Sequence, residues 1–460
     1  MMYLLSVLWS CIILLLCLNS NYIGGLALSL PDSHTCVIGA GYSGLAVSRY
    51  LKEFGVNFTV FEASRYVGGT WRFDPHVGLD EDGTPVLTSM YKYLRTNTPR
   101  QTMEFGGFPF PANAPSYPTG TCFYKYLQSF VKHFDLMPNI HVRSFVTSVK
   151  WIDHHWELTY TQTDERINNT VSCDFVIIAN GQYVRPLLPN FPGQDIFNGS
   201  IIHSHDYREP ETYKGRRVLL VGAGPSGLDL AGQLHNITAK LFHSHHLVYN
   251  QPKFSEHYFK KPDVEAFTTD GVVFKDGTIE EVDDVIFCTG YEFYHPFLDK
   301  SCGLTVSGKF ILPLHQNIVN IRHPSMSFIG VVNKVITRVM DAQAEYVASL
   351  IAGKFKLPSQ EEMLKIWLAH VYKLQYQHKK IIDVNTVGSD MDQYLGNLTK
   401  EAGVTRVPTV LTEIRDFNAK NRLEDLLNYR DYDYKIIDSN NYKRWHNGGG
   451  NRAEECPIEL

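Results

Sequence analysis

Two glycine motifs contain the residues whose types and spacing most directly predict chemistry. Each follows an apolar run, Thr35–Ile38 in one case and Val218–Val221 in the other, and each reads Gly-x-Gly-x-x-Gly. The glycines are Gly39, Gly41, Gly44, Gly222, Gly224 and Gly227, with Ser226 inside the second motif. At this spacing the first glycine makes a tight turn, the second lets a pyrophosphate approach the backbone, and the third lets a helix pack on the strand. Two copies predict two nucleotide sites, and a hydride is the natural group to pass between two bound nucleotides.

The residues beyond each motif distinguish the two sites. Glu62 lies 23 residues after Gly39, where an acid binds the ribose hydroxyls of a dinucleotide. The matching region after Gly222, Lys240–His246, contains no acid. An acid there would repel the 2′-phosphate of NADPH, so its absence favours NADPH. The first site is therefore predicted to hold FAD and the second NADPH. A solvated loop is the alternative interpretation of the histidines in this region, and no metal site is predicted, because no matching acid or cysteine spacing accompanies them.

The order of strands and helices predicts an α/β chain with two Rossmann-like dinucleotide-binding domains, the NADPH domain inserted into the FAD domain. Asp174–Gly181 and Val285–Tyr291 are both apolar strands that end in a turn, which indicates two related folds. The expected divisions are a signal peptide (1–28), the first part of the FAD-binding domain (33–212), the inserted NADPH-binding domain (213–323), a largely helical return to the FAD-binding domain (324–445) and a flexible tail (446–460).

Composition excludes some classes of function. The net charge of −5 provides no basic surface for nucleic acid, and 44% hydrophobic with 20% charged residues is typical of a globular protein. The sequence contains no Cys-x-x-Cys, which argues against a disulfide reductase. Cys36, Cys173 and Cys288 lie in or beside apolar strands and are interpreted as buried core thiols.

The first residues predict entry into the secretory pathway. Leu4–Leu18 is apolar but shorter than the ~20 residues of a membrane span, and small residues follow it at Gly24, Gly25 and Ala27. No Lys or Arg precedes the run, so a signal anchor is the alternative. Five acceptor asparagines for N-glycosylation agree with secretion: Asn57, Asn168, Asn198, Asn236 and Asn397. We expect a secreted glycoprotein without a stable membrane anchor, and its oligomeric state stays open.

A third motif narrows the class of enzyme. Phe197–Tyr207 matches Phe-x-Gly-x-x-x-His-x-x-x-Tyr/Phe, the signature of flavin-containing monooxygenases, and lies just before the second glycine motif, as in that family. Phe287–Tyr291 resembles the family's Phe-Ala-Thr-Gly-Tyr, and Asp341–Ser359 resembles its C-terminal helix. The related Baeyer–Villiger enzymes carry Trp at the last signature position, so Tyr207 favours oxygenation of a heteroatom.

The resemblance implies roles for individual residues. The loop Val67–Trp71 resembles a second flavin-contacting loop of the family, and Asn97 falls where the family places an Asn side chain near the flavin C4a. Two histidines stand where the family commonly has an Arg for the 2′-phosphate. The candidates carried over in this way are Gly69, Trp71, Asn97, His245, His246 and Gln343, with Asn97 as the catalytic residue.

The leader and the lack of an anchor resemble the secreted insect branch of this family, which N-oxidises plant pyrrolizidine alkaloids. The resemblance implies that O2 and NADPH convert a tertiary amine, such as senecionine, to its N-oxide through a C4a-hydroperoxyflavin. Because the cofactor does this chemistry, no Ser-His-Asp set or carboxylate pair is required. The alternatives are an amine and sulfide oxygenase of broad range, a Baeyer–Villiger enzyme, or an inactive secreted protein that binds flavin.

Overall fold

Two parallel sheets, each built beside one glycine motif, organise the chain. The computed structural model describes residues 33–448 and 456–460, so the expected signal peptide lies outside the described residues. Within those residues, no helix combines the length and the apolar character that crossing a bilayer requires.

The first sheet contains the N-terminal glycine motif. Its strands are β1 (Thr35–Ile38), β2 (Phe58–Phe61), β3 (Ile140–His141), β7 (Phe175–Ile178), β20 (Leu314–His315), β21 (Val319–Asn320) and β22 (Met326–Phe328). Their order is β20-β21-β22-β7-β1-β2-β3, and the five strands from β22 to β3 are parallel. Every residue of β1 and β7 is buried, as expected where helices or loops cover both faces of a parallel sheet.

The second sheet contains the other motif. Its strands are β9 (Ser200–His203), β10 (Arg217–Val221), β11 (Lys240–Ser244), β12 (Tyr258–Lys261) and β16 (Asp284–Phe287). Their order is β12-β11-β10-β16-β9, and all neighbours are parallel. The expected fold class, two dinucleotide-binding domains with one inserted into the other, is confirmed.

Smaller antiparallel sheets complete the strands. Two three-stranded sheets are formed by β4 (Ser144–Ile152), β5 (His155–Gln162) and β6 (Ile167–Cys173), and by β13 (Val264–Phe267), β14 (Gly271–Phe274) and β15 (Ile279–Glu281). Three two-stranded pairs join β8 (Arg185–Pro186) to β17 (Tyr291–Glu292), β18 (Thr305–Val306) to β19 (Ile311–Leu312), and β23 (Tyr432–Ile436) to β24 (Tyr442–His446).

Seven α-helices lie among the described residues. They are α1 (Tyr42–Glu53), α2 (Gly120–His133), α3 (Pro225–Leu234), α4 (Arg338–Ile351), α5 (Gln360–Tyr376), α6 (Met391–Ala402) and α7 (Val410–Glu424). Local sequence sets several of their starts. α1 and α3 begin directly after the second glycine of each motif, and the Thr119 hydroxyl caps α2 by accepting a hydrogen bond from the Cys122 N–H. The buried faces of α1 and α4 pack against each other over the first sheet.

The inserted domain begins and ends earlier than the expected 213–323. β9 precedes residue 213 yet forms the edge of the second sheet by pairing with β16. At the other end, Phe293, Phe297 and Leu314 already pack in one cluster with Cys36 and Ile178 of the first sheet. The chain crosses between the two domains at β8 and again at β17, and these two strands pair with each other. The boundaries were misplaced because a strand that comes before its glycine motif has no local signal of the sheet it joins.

Two disulfides correct the interpretation of the cysteines. Cys36 and Cys173, expected as free core thiols, are bonded, with their Cα atoms 5.9 Å apart, whereas Cys288 is a buried free thiol as expected. Cys122 is bonded to Cys456, with a Cα separation of 5.4 Å. The expectation of a flexible tail is therefore wrong for residues 456–460, which are held at the first helical turn of α2. Apolar context alone did not reveal these pairs because their partners are 137 and 334 residues apart.

Candidate functional site

The first glycine turn has no room for side chains. Gly39 has a φ of +100°, which favours glycine, and a Cβ atom there would lie 2.7 Å from the Ala179 carbonyl oxygen. A Cβ at Gly44 would lie 1.8 Å from the Gly39 carbonyl oxygen. The N-terminus of α1 is thereby pressed against the carboxyl end of β1. The free N–H groups of that helix end face the space in which a pyrophosphate would lie.

A second loop closes over this turn. The Gly68 N–H donates to the Ala40 carbonyl at 2.9 Å, and a Cβ at Gly69 would lie 2.9 Å from the Gly41 Cα. Trp71 packs on Phe123 of α2, with ring centroids 4.3 Å apart, and this contact fixes the loop. The structure thus brings Gly41 and Gly69 together in one phosphate cradle, with Trp71 at its edge.

Glu62 lies beside that cradle at the end of β2. Its carboxylate accepts hydrogen bonds from the Ala40 N–H at 2.7 Å and from the Ser64 N–H at 2.9 Å. Burial raises the pKa of Glu62, and the two backbone donors oppose this rise. The position agrees with the ribose-binding role expected for this acid, because the carboxylate borders the turn that would hold the adjoining phosphates.

The second cradle repeats the first. Gly222 has a φ of +103°, and its Cβ would lie 2.7 Å from the Cys288 carbonyl oxygen. A Cβ at Gly227 would lie 2.0 Å from the Gly222 carbonyl oxygen. Gly224, in contrast, is exposed, and a Cβ atom added there would have no other atom within 4 Å. Ser226 follows in the first turn of α3 and is half-buried. The open space at Gly224 and the helix N-terminus beside it fit a dinucleotide pyrophosphate.

His245 occupies the position that Glu62 has in the first cradle. In the first cradle the Gly39 N–H donates to the Phe61 carbonyl at 2.9 Å, and in the second the Gly222 N–H donates to the Ser244 carbonyl at 2.9 Å. Glu62 and His245 each follow the accepting residue, so they occupy equivalent positions. No acid therefore stands at this point of the second cradle. The equivalence supports the assignment of FAD to the first cradle and NADPH to the second.

The histidines supply less positive charge than a family arginine would. Burial, with a contribution from Lys260, lowers the pKa of His245 to about 4, so its ring is neutral at pH 7. The side chain of His246 is 94% exposed and lies 3.4 Å from the Asp263 carboxylate. Lys240 begins β11, whereas the cradle is at the other end of that strand. Lys260, which the sequence interpretation did not single out, adds a positive charge near His245 and pairs with His243 in the register of β11 and β12.

His243 has a role that the sequence interpretation missed. Burial lowers its pKa to about 3, so the ring is neutral. Its Nε2 lies 3.0 Å from the Gly222 carbonyl oxygen and its Nδ1 lies 3.0 Å from the Tyr258 hydroxyl. The neutral tautomer that donates from Nε2 and accepts at Nδ1 satisfies both contacts. His243 therefore holds Gly222, the first glycine of the NADPH cradle, in place through a hydrogen bond to its carbonyl oxygen.

Asn97 lies where the two domains meet. It is exposed and lines a cavity of about 200 Å³ together with Leu228 and Asp229 of α3 and with Leu426 and Arg430 of the C-terminal segment. The cavity thus touches the helix that starts at the NADPH cradle. The catalytic role of Asn97 stays a prediction, and no sequence pattern indicated the C-terminal wall of this cavity.

Gln343 has protein partners at both ends of its amide. Its Oε1 accepts a hydrogen bond from the Gly330 N–H at 2.9 Å, and its Nε2 donates to the Tyr394 hydroxyl at 2.7 Å. A Cβ at Gly330 would lie 3.3 Å from the Ser43 hydroxyl, at the start of α1. These contacts support a role behind the FAD cradle, holding the Gly330 turn, instead of the direct cofactor contact that was expected.

The residues of the signature motif are structural. Phe197 and the Asp283 carbonyl leave no room for a Cβ at Gly199, and the His203 Nδ1 accepts a hydrogen bond from the His205 N–H. Tyr207 is fully buried, and its hydroxyl donates to the Gln233 side chain of α3 at 3.0 Å. The motif therefore fixes the edge strand of the second sheet against α3.

One group of possible metal ligands occurs among the described residues. It consists of His34, Cys36 and Cys173, whose ligand atoms lie within 4.8 Å of one another. The two sulfurs form a disulfide. Neither is available as the thiolate that a metal would bind.

Replacing Gly224 by Ala tests the second cradle without disturbing the fold. The added methyl meets no protein atom, so FAD content and the unfolding temperature should match the wild type. NADPH oxidation should fall at least tenfold, because the methyl occupies the space of the pyrophosphate. Absorbance at the flavin band and at the NADPH band measures both quantities. Gly396→Ala adds the same methyl in open space on α6 and should leave both unchanged. Loss of FAD from Gly224→Ala would contradict the assignment of the two cradles.

Replacing His246 by Arg tests the weak recognition of the 2′-phosphate. A guanidinium at this exposed position should lower the KM for NADPH about tenfold, since charge-assisted hydrogen bonds are worth roughly 1.5–3 kcal/mol. The KM for NADH should not change, because NADH lacks that phosphate. His246→Gln is the matched control, with a change of less than about threefold for either cofactor. An equal fall in both KM values would show that the site of the 2′-phosphate lies elsewhere.

Comparison with known proteins agrees with this geometry. A model of the family described as FMO-like (flavin-binding monooxygenase-like) matches residues 32–247 and 255–416. The senecionine N-oxygenase of Tyria jacobaeae is 48% identical over 453 residues, which cover 97% of this chain and 99% of that protein.

Two solved structures share the architecture. S-allyl-L-cysteine S-oxygenase from Allium sativum superposes with a TM-score of 0.80 at 26% identity, covering 86% of this chain and 94% of its own. Tmm from Pelagibacter sp. strain HTCC7211 gives a TM-score of 0.76 at 25% identity, covering 87% and 93%. With both cradles present and the match extending over most of the sequence, the chain belongs to the flavin-binding monooxygenase-like family and is a monooxygenase that depends on FAD and NADPH.

Proposed function

We propose that this enzyme is secreted and converts a tertiary amine of the pyrrolizidine-alkaloid class, such as senecionine, to its N-oxide. The observation that carries the proposal is the 48% identity to a senecionine N-oxygenase over 97% of the chain. That similarity includes most of the segment after residue 416, where the family match ends. This segment forms one wall of the cavity beside Asn97.

The proposed reaction balances with one O2 and one NADPH. One oxygen atom forms a bond to the amine nitrogen through the nitrogen lone pair, and the other leaves as water with two protons. NADPH gives up a hydride and becomes NADP+, and one further proton comes from solvent. Bound FAD supplies the oxygen-activating chemistry after its reduction by NADPH.

The residues of the chain bind, orient and exclude water. The two cradles would hold the phosphates of both cofactors at helix N-termini. The Asn97 side chain lines the cavity at the junction of the domains together with charged side chains, among them Arg95 and Asp229. In this proposal the Asn97 amide supplies a hydrogen bond near the reacting centre. Leu228, Leu426 and Leu427 provide apolar walls, which favour an apolar amine and disfavour water.

Charge in the cavity suits an amine that reacts through its lone pair. Arg95, Arg422 and Arg430 line the cavity with one carboxylate, Asp229. This positive excess disfavours an ammonium and thereby favours the unprotonated amine, which is the nucleophilic form. Sulfide oxygenation is the second candidate, because the superposition with an S-oxygenase reaches a TM-score of 0.80, and a sulfide needs no deprotonation.

Product analysis tests the substrate class. The FAD-loaded enzyme is given NADPH and O2 with senecionine, a trialkylamine, a dialkyl sulfide or a cyclic ketone, and products are identified by mass spectrometry. We expect the N-oxide of senecionine to form with the highest kcat/KM, at least tenfold above the trialkylamine, because the apolar walls can bury a larger ring system. A higher kcat/KM for the sulfide would favour the second candidate. An ester from the ketone would indicate a Baeyer–Villiger enzyme, and loaded protein that consumes no NADPH would indicate an inactive flavin-binding protein.

Secretion is supported by the covalent structure. Two disulfides link parts of the chain that are distant in sequence, which is typical of proteins from oxidising compartments. The five acceptor asparagines are all exposed. We expect protein from insect cells to appear in the medium, to carry both disulfides, and to gain electrophoretic mobility after N-glycosidase treatment. Protein that stays in the cytosol with its cysteines reduced would overturn this part of the proposal.

A further inference from the structure

The loop that carries Asn97 is held by side chains from the end of the chain. We name residues 410–436 the C-terminal clasp. Three consecutive carbonyl groups of the loop accept hydrogen bonds from two clasp residues. Arg430 donates from Nε to the Thr96 carbonyl at 3.0 Å and from its terminal nitrogen to the Arg95 carbonyl at 3.3 Å, and Asn418 donates from Nδ2 to the Asn97 carbonyl at 3.0 Å. The backbone position of Asn97 is thus determined by residues more than 300 positions later in the sequence.

Arg430 also ties the loop to the NADPH domain. Its guanidinium forms an ion pair with Asp229 of α3 at 2.7 Å, and both side chains are mostly buried. The other oxygen of Asp229 accepts a hydrogen bond from the Tyr91 hydroxyl at 2.5 Å, at the start of the same loop region. A planar guanidinium can hold a carboxylate and two carbonyls in one fixed arrangement, which lysine cannot reproduce. Arg430 therefore joins α3, the helix that begins at the NADPH cradle, to the loop that carries Asn97.

Further contacts fix the clasp itself. The Tyr117 hydroxyl donates to the Asn418 Oδ1 at 2.7 Å, which orients the amide so that Nδ2 faces Asn97. Gln101 donates to the Tyr434 carbonyl at 2.6 Å, and the Tyr434 N–H donates to the Ser116 hydroxyl at 2.9 Å. Most of the clasp lies beyond residue 416, where the family match ends. Most of these contacts therefore involve residues outside the part of the chain that the family model matches.

We infer that Arg430 and Asn418 are positioning residues for the monooxygenation, which set the place of Asn97 relative to the NADPH helix and so keep NADPH oxidation coupled to oxygen transfer. The inference rests on the proposed function only in giving Asn97 a part at the reacting centre. When Asn97 is displaced, NADPH and a proton still reduce the flavin, but O2 then takes both electrons and two protons and leaves as H2O2 instead of oxygenating the substrate.

Four variants test this inference. Arg430→Lys keeps a charge for Asp229 but cannot reach both carbonyls, and Asn418→Leu removes the donor to Asn97 at similar volume. Asn97→Ala gives the coupling expected when the Asn97 side chain itself is missing. Arg444→Met is the matched control for a change in clasp packing that spares the hydrogen bonds to the Asn97 loop, because Arg444 lies over the rings of the clasp residues Phe417 and Tyr432, 3.8 and 4.7 Å from their centroids.

Two readouts are measured on the FAD-loaded protein. The first is N-oxide formed and H2O2 released per NADPH consumed. The second is hydrogen–deuterium exchange of the peptide containing residues 93–99, which needs no turnover. We expect Arg430→Lys and Asn418→Leu to lower the N-oxide yield per NADPH at least threefold, toward Asn97→Ala, and to raise exchange in that peptide at least threefold. FAD content and KM for the amine should stay within the range of Arg444→Met. We expect the unfolding temperature to fall by at most a few degrees, because the buried Tyr117 hydroxyl loses its acceptor in Asn418→Leu, but both variants should remain folded.

Unchanged coupling and unchanged exchange in both folded variants would overturn the inference. If Arg430→Lys does not fold, Asn418→Leu decides, because it leaves the buried ion pair intact. The result is distinguishable from failure of the proposed function. If the wild type oxygenates no amine but exchange rises in the variants, the substrate is wrong and the clasp still holds the loop.

Discussion

At each phosphate cradle a helix lies against its strand with no space for a side chain between them. A methyl group on Gly44 would come within 1.8 Å of a backbone oxygen, and one on Gly227 within 2.0 Å. This contact sets the direction of α1 and α3, and with it the place where free N–H groups gather at the helix ends. Glu62 and His245 lie beside the turns that precede these two helices, and the Asn97 cavity is lined in part by α3.

The features that the sequence allowed us to predict are those with local signals. Glycine spacing after an apolar run predicted both cradles, and the fixed interval to Glu62 located the acid beside the first one. The resemblance added Asn97, which no local pattern distinguishes from a turn residue. These predictions required only neighbouring residues, since a strand, a turn and a helix N-terminus form one continuous piece of chain.

The features that were missed depend on residues far apart in sequence. Nothing near Cys36 indicates that it meets Cys173, and nothing near residue 200 shows which sheet β9 will join. A solvated loop was the alternative interpretation of the histidines around His243, but His243 faces the Gly222 carbonyl because of its position in a buried strand. The contacts of Arg430 with Asp229 and Thr96 join three separate segments, and they follow only from the tertiary fold.

The bond between Cys122 and Cys456 turns most of the polypeptide into a covalent ring. A protease that cuts one peptide bond anywhere inside this ring leaves both fragments attached, and every strand of the second sheet lies within it. Such a nicked molecule would run as a single species until a reductant opened the ring. The protein can therefore keep its fragments together after a single backbone cleavage, but only while its surroundings are not reducing enough to break the Cys122–Cys456 bond.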